Sequence, residues 1–312
     1  MEIKYKGDIF QMPDYMIVGA AKSGTTSLYE YLKWNEQTFL PNVKEPHFFS
    51  FFNNKPNFIS PESLPTVVSS INKYSKLFDK AKKNQLLGDA SQSYLYKHNT
   101  VINAVKEIYG EKSRSIKIII ILRNPIERAW SQYWHFKKNF NEPLDFLEAI
   151  NQDTIDKRLK ENWNIFYDYL GFGMYTDQIK SFESNFDNVK IILFDDLKMS
   201  SENVLAQVCE FLELNLIHSV NKKKNFNPSG KPKNNLYGLL WKINVSKNIF
   251  TPFKAVLPMG LRKKIKNLLM EKALEKKFMS EKEREYLNSI YRDEIKHLYK
   301  HINREEIKQW VT

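Results

Sequence analysis

The stretch that most constrains the fold is a short apolar run followed at once by small residues and one lysine. Residues Met16–Val18 predict a buried strand of a parallel sheet, and the residues from Ser27 onward predict a helix. A strand-to-helix turn of this composition, here residues 19–26, points several backbone N–H groups and a helix N-terminus at one place. The stretch therefore predicts a phosphate site. The alternative is a glycine-rich turn with a solvated lysine.

The spacing inside this Lys22 loop (residues 19–26) departs from the Walker A pattern of nucleotide hydrolases. In G-x-x-x-x-G-K-[ST] the lysine follows directly after the second glycine. Gly19 and Gly24 have the required separation, but Thr25 follows Gly24 and the lysine comes earlier, at Lys22. The loop thus favours phosphate binding without favouring hydrolysis of a nucleoside triphosphate.

A second candidate phosphate site follows the clearest strand of the chain. Residues Ile116–Leu122 are apolar on both faces, so we expect them in the middle of a sheet with helices on both sides. Arg123 follows this strand, and Ser131 lies two turns into the next predicted helix, 126–138. An arginine fork and a helical hydroxyl can bracket a phosphate. The alternative is an arginine paired with a carboxylate and a solvated serine.

A third candidate is the Glu45 segment, defined as residues 44–49, Lys-Glu-Pro-His-Phe-Phe. Pro46 biases Glu45 toward extended backbone, so we expect a loop or strand end here and not a helix. Glu45 could accept a proton from an attacking nucleophile, and His47 is the second candidate base. The residues alone favour a plainer interpretation, a salt bridge between Glu45 and either Lys44 or another cation.

Taken together, these stretches resemble sulfotransferases that use 3′-phosphoadenylyl sulfate (PAPS). Residues 22–26, Lys-Ser-Gly-Thr-Thr, are similar to the 5′-phosphosulfate loop of that family. Residues 123–133 reproduce its 3′-phosphate element, R-N-P-x-x-R-A-x-S-x-Y, and the Glu45 segment looks like the acceptor side of heparan-sulfate-type members. Residues 88–94 resemble the pattern G-E-x-S-P-x-Y, with Asp89 in place of Glu and Gln92 in place of Pro.

The resemblance implies a single α/β domain over residues 1–312, with a helical, basic part from about 236. The implied fold is P-loop-NTPase-like and three-layered, a central parallel sheet flanked by helices. The implied reaction moves a sulfuryl group from PAPS to a hydroxyl or amine, in a carbohydrate or glycolipid, and leaves adenosine 3′,5′-bisphosphate. No metal is required in this chemistry, and the chain shows no evident metal motif.

The resemblance also implies roles for individual residues. Lys22 would neutralise the oxygen that links sulfur to the departing phosphate, Glu45 would be the base, and His47 the alternative base. The implied cofactor contacts are Lys22, Ser23, Gly24, Thr25, Thr26, Arg123, Ser131, Gly230, Lys231 and Lys233.

Composition limits the partners and the location. The net charge of +12 favours anionic partners, and residues 254–277 could contact an acidic glycan or a membrane surface. No base-stacking pattern accompanies the lysines, so we do not expect nucleic acid. One cysteine, Cys209, and the absence of an apolar leader or long apolar run predict a soluble, cytoplasmic protein.

Two rival functions stay open from the sequence. One is a nucleotide kinase or NTPase on the same fold, and the other is a non-catalytic protein that binds glycans or membranes. The acceptor and the oligomeric state are not determined by the sequence.

Overall fold

The computed structural model describes residues 1–62, 64, 66–216 and 278–311, and the backbone of two short strands at 231–232 and 274–275. An antiparallel hairpin opens the chain, formed by β1 (Glu2–Tyr5) and β2 (Asp8–Gln11). This hairpin was not predicted from the sequence.

A five-stranded parallel sheet lies at the centre, in the order β4-β5-β3-β6-β7. Its strands are β3 (Tyr15–Gly19), β4 (Thr38–Phe39), β5 (Leu86–Ala90), β6 (Lys117–Leu122) and β7 (Asn188–Leu193). The strands predicted at Met16–Val18 and Ile116–Leu122 are the two central neighbours, β3 and β6. The last two short strands, β8 (Lys231–Pro232) and β9 (Leu274–Glu275), pair antiparallel with each other.

Helices connect and cover these strands. Within the described residues they are α1 (Thr25–Lys33), α2 (Ile71–Ser75), α3 (Ser93–Tyr96), α4 (His98–Tyr109), α5 (Pro125–Lys138), α6 (Phe146–Ala149), α7 (Gln152–Lys160), α8 (Tyr175–Asn185), α9 (Phe194–Met199), α10 (Ser201–Leu212), α11 (Glu281–Ile302) and α12 (Glu305–Lys308). Short 3₁₀ turns lie at Lys76–Phe78, Gly110–Ser115, Ile165–Tyr167 and Gly171–Gly173.

Both faces of the sheet are buried under helices, which confirms the three-layer expectation. On β6, Ile118 and Ile120 face an apolar cluster shared with α4, α5, α8 and α11, while Ile119 and Ile121 face a second cluster under α1 and α10. Alternate side chains of one strand therefore enter two cores, as expected for a central parallel strand. Cys209 is buried in the second cluster.

One predicted helix is wrong. From the sequence alone, residues 67–84 predict a single amphipathic helix, whereas α2 spans only Ile71–Ser75 and a 3₁₀ turn follows it. The preceding residues are tied to another segment, since the Val68 N–H donates to the Pro46 carbonyl at 2.9 Å. After Phe78 the residues are charged and mostly exposed, so they offer no apolar face that would extend the helix.

The strand order determines where a site can form. β3 lies between β5 and β6, so the loops after these three strands leave the same edge of the sheet side by side. Ligands of open parallel sheets bind at this carboxyl edge. The Lys22 loop, residues 91–92 and Arg123 are the segments that emerge there.

Candidate active site

The Lys22 loop connects the central strand β3 to helix α1. Lys22 has φ +68° and Gly24 has φ +91°, both in the left-handed region. Gly24 occupies the N-cap position of α1 and offers no side-chain cap to the helix. The N–H groups of Thr25 and Thr26 in the first turn therefore face the loop interior without an intrahelical partner. This arrangement is a ready site for an anion.

Crowding around Gly24 explains why this position is a glycine. A Cβ added there would lie 2.9 Å from side-chain atoms of both Leu197 and Phe194. The loop is therefore closed from behind by the residues that follow β7.

The Ser23 side chain is a buried hydroxyl without a partner among the described residues. Ser23 is fully buried, and an unpaired buried hydroxyl is unfavourable. A phosphate or sulfate oxygen in the loop would supply the missing acceptor. The residues present therefore fit a 5′-phosphosulfate.

Lys22 lies among positive charges. Burial, with a smaller contribution from three neighbouring cations, lowers the pKa of Lys22 to about 7, and Glu45 opposes this shift. These cations are Lys138, Arg123 and Lys44. An anion bound in the loop would relieve this repulsion and favour the charged ammonium.

Arg123 joins the two candidate phosphate sites. Its Nη1 donates to the Lys22 carbonyl at 3.0 Å, and its guanidinium lies over the Phe194 ring at 5.1 Å from the centroid. Arg123, which follows β6, is therefore in direct contact with the Lys22 loop, which follows β3. Ser131 lies on α5, partly exposed.

Two further residues of α5 were missed from the sequence. His135 and Lys138 follow Ser131 at four and seven residues, the spacing of one helix face. Burial, with the charges of Lys22 and Lys138, lowers the pKa of His135 to about 3. That periodicity from Ser131 was the available signal, and one of the two residues, Lys138, is among the cations that lower the pKa of Lys22.

The Glu45 segment contacts the turn after β5. Glu45 has φ +58°, so the expected absence of helix is confirmed but the extended backbone expected before Pro46 is wrong. Its N–H donates to the Ala90 carbonyl at 3.2 Å. One carboxylate oxygen pairs with the Lys44 ammonium, and the other accepts from Gln92 Nε2 at 2.9 Å. The salt bridge expected from the plainer interpretation is therefore present.

His47 is buried beside Glu45. Its Nδ1 lies 2.7 Å from Ser93 Oγ, which in turn lies 2.8 Å from Ser50 Oγ. Its Nε2 faces Glu45 Oε2 at 3.9 Å. Burial lowers the pKa of His47 to about 4, so the imidazole is neutral at pH 7. With 1% of its side chain exposed against 21% for Glu45, His47 is the less accessible of the two candidate bases.

A buried carboxylate supports the Glu45 segment from beneath. Asp89 accepts from Tyr74 and Tyr94 at 2.6 Å each and from Ser91 at 3.0 Å, and burial raises its pKa. Ser91 Oγ also accepts the backbone N–H of His47 at 3.1 Å. Ser91 and Tyr94 are thus buried supports of the segment.

Three predicted cofactor contacts cannot be compared with the structure. Gly230, Lys233 and the Lys231 side chain lie outside the described residues, as do residues 254–273 of the basic stretch. The backbone of β8, which contains Lys231, lies against α5.

Two absences concern the described part of the chain. Within it, no cluster of three or more His, Cys, Asp or Glu side chains could hold a metal ion. No helix within these residues is both long enough and apolar enough to span a bilayer.

Comparisons with known proteins agree on one family. The family model described as a sulfotransferase domain matches residues 12–298. Human carbohydrate sulfotransferase 15 is 22% identical over 300 residues, covering 79% of this chain and 53% of that protein. Mouse heparan sulfate glucosamine 3-O-sulfotransferase 3B1 is 27% identical over 213 residues, covering 66% of this chain and 47% of that protein.

Other matches extend the comparison. The membrane-associated sulfotransferase kil1 of Dictyostelium discoideum is 28% identical over 152 residues, covering 46% of this chain and 28% of that protein. This chain thus spans about half or less of these curated relatives. A sulfotransferase structure from Alicyclobacillus acidocaldarius has a TM-score of 0.70 at 24% identity, covering 96% of this chain and 99% of that one, which shows a shared fold.

Proposed function

The chain belongs to the sulfotransferase domain family, and we propose that it transfers the sulfuryl group of PAPS to a hydroxyl or amine of a carbohydrate or glycoconjugate. The by-product is adenosine 3′,5′-bisphosphate. The carbohydrate acceptor is inferred from relatives whose names describe carbohydrate and heparan sulfate sulfotransferases.

The observation that carries this proposal is the contact between the two candidate phosphate sites, the Lys22 loop and Arg123. The hydrogen bond from Arg123 to the Lys22 carbonyl holds these two sites side by side at the carboxyl edge of the sheet. A nucleotide with phosphates at both its 5′ and 3′ positions matches two adjacent cationic sites. The Walker-type alternative would need a lysine directly after Gly24, where the chain has Thr25.

The donor side would act by electrostatics. Lys22 and the N-terminus of α1 would stabilise the negative charge that develops on the oxygen leaving sulfur. Arg123 and Ser131 would hold the 3′-phosphate, and Gly230, Lys231 and Lys233 remain proposed contacts to the same nucleotide. A sulfuryl group carries less charge than a phosphoryl group, so these cations could suffice without a metal ion.

The acceptor side would act by proton transfer. Glu45 would take the proton of the attacking hydroxyl or amine, since it is the more exposed of the two candidate bases. Neutral His47 would hold its place through Ser93 and face the Glu45 carboxylate. The cytoplasmic location and the contact of the basic residues with glycans or membranes stay predictions.

Calorimetry tests the donor. We expect adenosine 3′,5′-bisphosphate to bind without magnesium, and adenosine 5′-phosphate to bind at least tenfold more weakly because it lacks the 3′-phosphate. Magnesium-dependent ATP binding with no preference for a 3′-phosphate would favour the kinase or NTPase. No nucleotide binding would favour the non-catalytic glycan- or membrane-binding protein.

Transfer from labelled PAPS tests the reaction and the base. A screen over polysaccharides, glycolipids and small alcohols should identify an acceptor. Glu45→Gln should then lose about 10²–10⁴-fold in turnover while binding adenosine 3′,5′-bisphosphate normally. Near-normal turnover of Glu45→Gln would move the base to His47 or to another group.

A further inference from the structure

Gln92 occupies one of the two positions at which residues 88–94 depart from the family pattern. The resembling pattern G-E-x-S-P-x-Y has proline there, and proline has no side-chain hydrogen-bond donor. Gln92 lies in the turn between β5 and α3, with φ −67°. That backbone angle is one that proline also adopts, so the glutamine is not required by the turn.

The Gln92 side chain contacts the candidate base directly. Its Nε2 donates to Glu45 Oε2 at 2.9 Å, across 47 residues of sequence. The other oxygen, Oε1, pairs with the Lys44 ammonium. Both carboxylate oxygens are thereby held, each from a different side.

The two contacts differ in how firmly they hold the Glu45 carboxylate in one orientation. Lys44 precedes Glu45 in the chain, and both side chains are partly exposed, so their ion pair holds the carboxylate weakly. Gln92 belongs to a separate element that follows a buried strand. The backbone of Glu45 is itself fixed, because its N–H donates to Ala90 and its carbonyl accepts from Thr66 Oγ1 at 3.0 Å. A hydrogen bond between two fixed points sets the orientation of the carboxylate.

We propose that Gln92 is a positioning residue for proton transfer, which orients the Glu45 carboxylate through Oε2 and leaves a second lone pair of that oxygen for the acceptor's proton. The inference rests on the proposed function. Without the Gln92 amide the carboxylate can rotate about its last side-chain bond, held by Lys44 alone. Orientation of a base contributes to rate even when binding is unchanged.

The test replaces Gln92 with methionine, which has a similar length and no donor. We expect Gln92→Met to lower kcat for sulfuryl transfer about tenfold. The KM for the acceptor, the Kd for adenosine 3′,5′-bisphosphate and the urea midpoint should stay within about twofold of wild type, since the contact affects only orientation. Gln152→Met is the matched control, because Gln152 is exposed on α7 and its amide donates to Asp156 of the same helix, so it should leave all four quantities unchanged.

A double-mutant cycle separates positioning from a structural role. In a Glu45→Gln background, Gln92→Met should cost less than twofold, because its partner is already altered. An equal loss in both backgrounds would overturn the inference, as would unchanged kcat in Gln92→Met or a loss confined to KM, nucleotide affinity or stability.

The outcome can be told apart from failure of the proposed function. Wild-type protein that binds no adenosine 3′,5′-bisphosphate and transfers no sulfuryl group would overturn both ideas. An active wild type with an equally active Gln92→Met would overturn only the role of Gln92.

Discussion

The three residues proposed for chemistry share an uncommon backbone conformation. Lys22, Glu45 and His47 have φ values of +68°, +58° and +53°. Non-glycine residues rarely adopt such angles, which cost on the order of 1–3 kcal/mol each. The surroundings hold them in place, as when Ser91 Oγ accepts the His47 N–H. Such angles persist only where the surrounding contacts impose them.

Lys22 provides a prediction in which ligand binding changes protonation. Its pKa of about 7 leaves it mostly neutral at pH 8 in the empty site. A bound phosphate favours the ammonium, so adenosine 3′,5′-bisphosphate should bind at pH 8 with uptake of protons. Calorimetry in two buffers of different ionisation enthalpy measures the number taken up.

Variants of Lys22 provide the control for this prediction. Lys22→Ala should bind with less proton uptake and lose about 10²–10³-fold in turnover. Lys198→Ala should behave as wild type, since Lys198 pairs with Asp195 on α9. Wild-type turnover in Lys22→Ala would remove Lys22 from the mechanism.

His47 predicts a dependence of stability on pH. Its pKa in the folded protein is about 4, below its ordinary value of 6.5, because burial disfavours the charged ring. Between these pH values the unfolded chain binds more protons than the folded chain, so stability is lost as the pH falls from 6.5 to 4. His47 alone should contribute a loss of about 2 kcal/mol between pH 7.5 and 5.

Urea unfolding at the two pH values measures this loss. His47→Asn should show a smaller loss between pH 7.5 and 5, with the remainder due partly to His135, whose pKa is also lowered by burial. His297→Asn, at an exposed position, should retain the wild-type loss. An undiminished loss in His47→Asn would contradict the buried neutral ring.

Single residues also show where sequence reasoning succeeds and where it ends. Lys22 and Arg123 were predictable because residues that follow apolar runs must emerge at one edge of a parallel sheet. The role of Gln92 was not predictable, because its contact with Glu45 depends on two loops that meet only in the folded chain. The extended backbone expected for Glu45 failed because tertiary hydrogen bonds from its neighbours outweigh the local preference set by Pro46.

At the scale of elements, the turn from β3 into α1 fits closely against the residues after β7. Gly24 has φ +91° and no space for a Cβ, whereas Gly7 has φ +95° with no atom within 4 Å of a Cβ. Gly24→Ala should therefore destabilise the protein more than Gly7→Ala, by about 2 kcal/mol or more for Gly24→Ala from strain and crowding together.

The comparison of the two glycines isolates crowding from backbone strain. Urea unfolding of both variants gives the difference, and calorimetry of Gly24→Ala should show weaker nucleotide binding because the loop shifts. Equal destabilisation by the two substitutions would contradict close packing against Leu197 and Phe194.

Elements were predictable in proportion to how much of their surface is buried. β6 and α5 were placed nearly correctly because their apolar patterns are long and unbroken. The helix expected over 67–84 failed because a tertiary contact holds its beginning and its charged end has nothing to pack against. The start of α11 at Glu281 was also predictable, because Ser280 and Glu283 have the spacing of a capping box, which they form in the structure.

At the scale of the whole molecule, the site is formed by the loops that follow β3, β5 and β6. Each of these three strands contributes side chains to both apolar clusters. A ligand that bridges these loops stabilises the unit that contains them. At one hundred times its Kd, adenosine 3′,5′-bisphosphate should add about 2.7 kcal/mol to the free energy of unfolding.

Calorimetric melting with and without the nucleotide tests this and the predicted single domain together. We expect one transition that moves upward as a whole by several degrees, roughly 5 °C. Two transitions, only one of which responds to the nucleotide, would contradict a single cooperative domain.

The hydrogen bond from the His47 N–H to Ser91 has a consequence for the exchange of backbone hydrogens with solvent. The Glu45 segment contains no regular secondary structure, and such segments usually exchange quickly. Ser91, however, is tied to Asp89, which is held by Tyr74 and Tyr94 inside the main core. The backbone amide hydrogen of His47 should therefore exchange as slowly as the amide hydrogens of β3. A loop residue would then have the protection of a central strand.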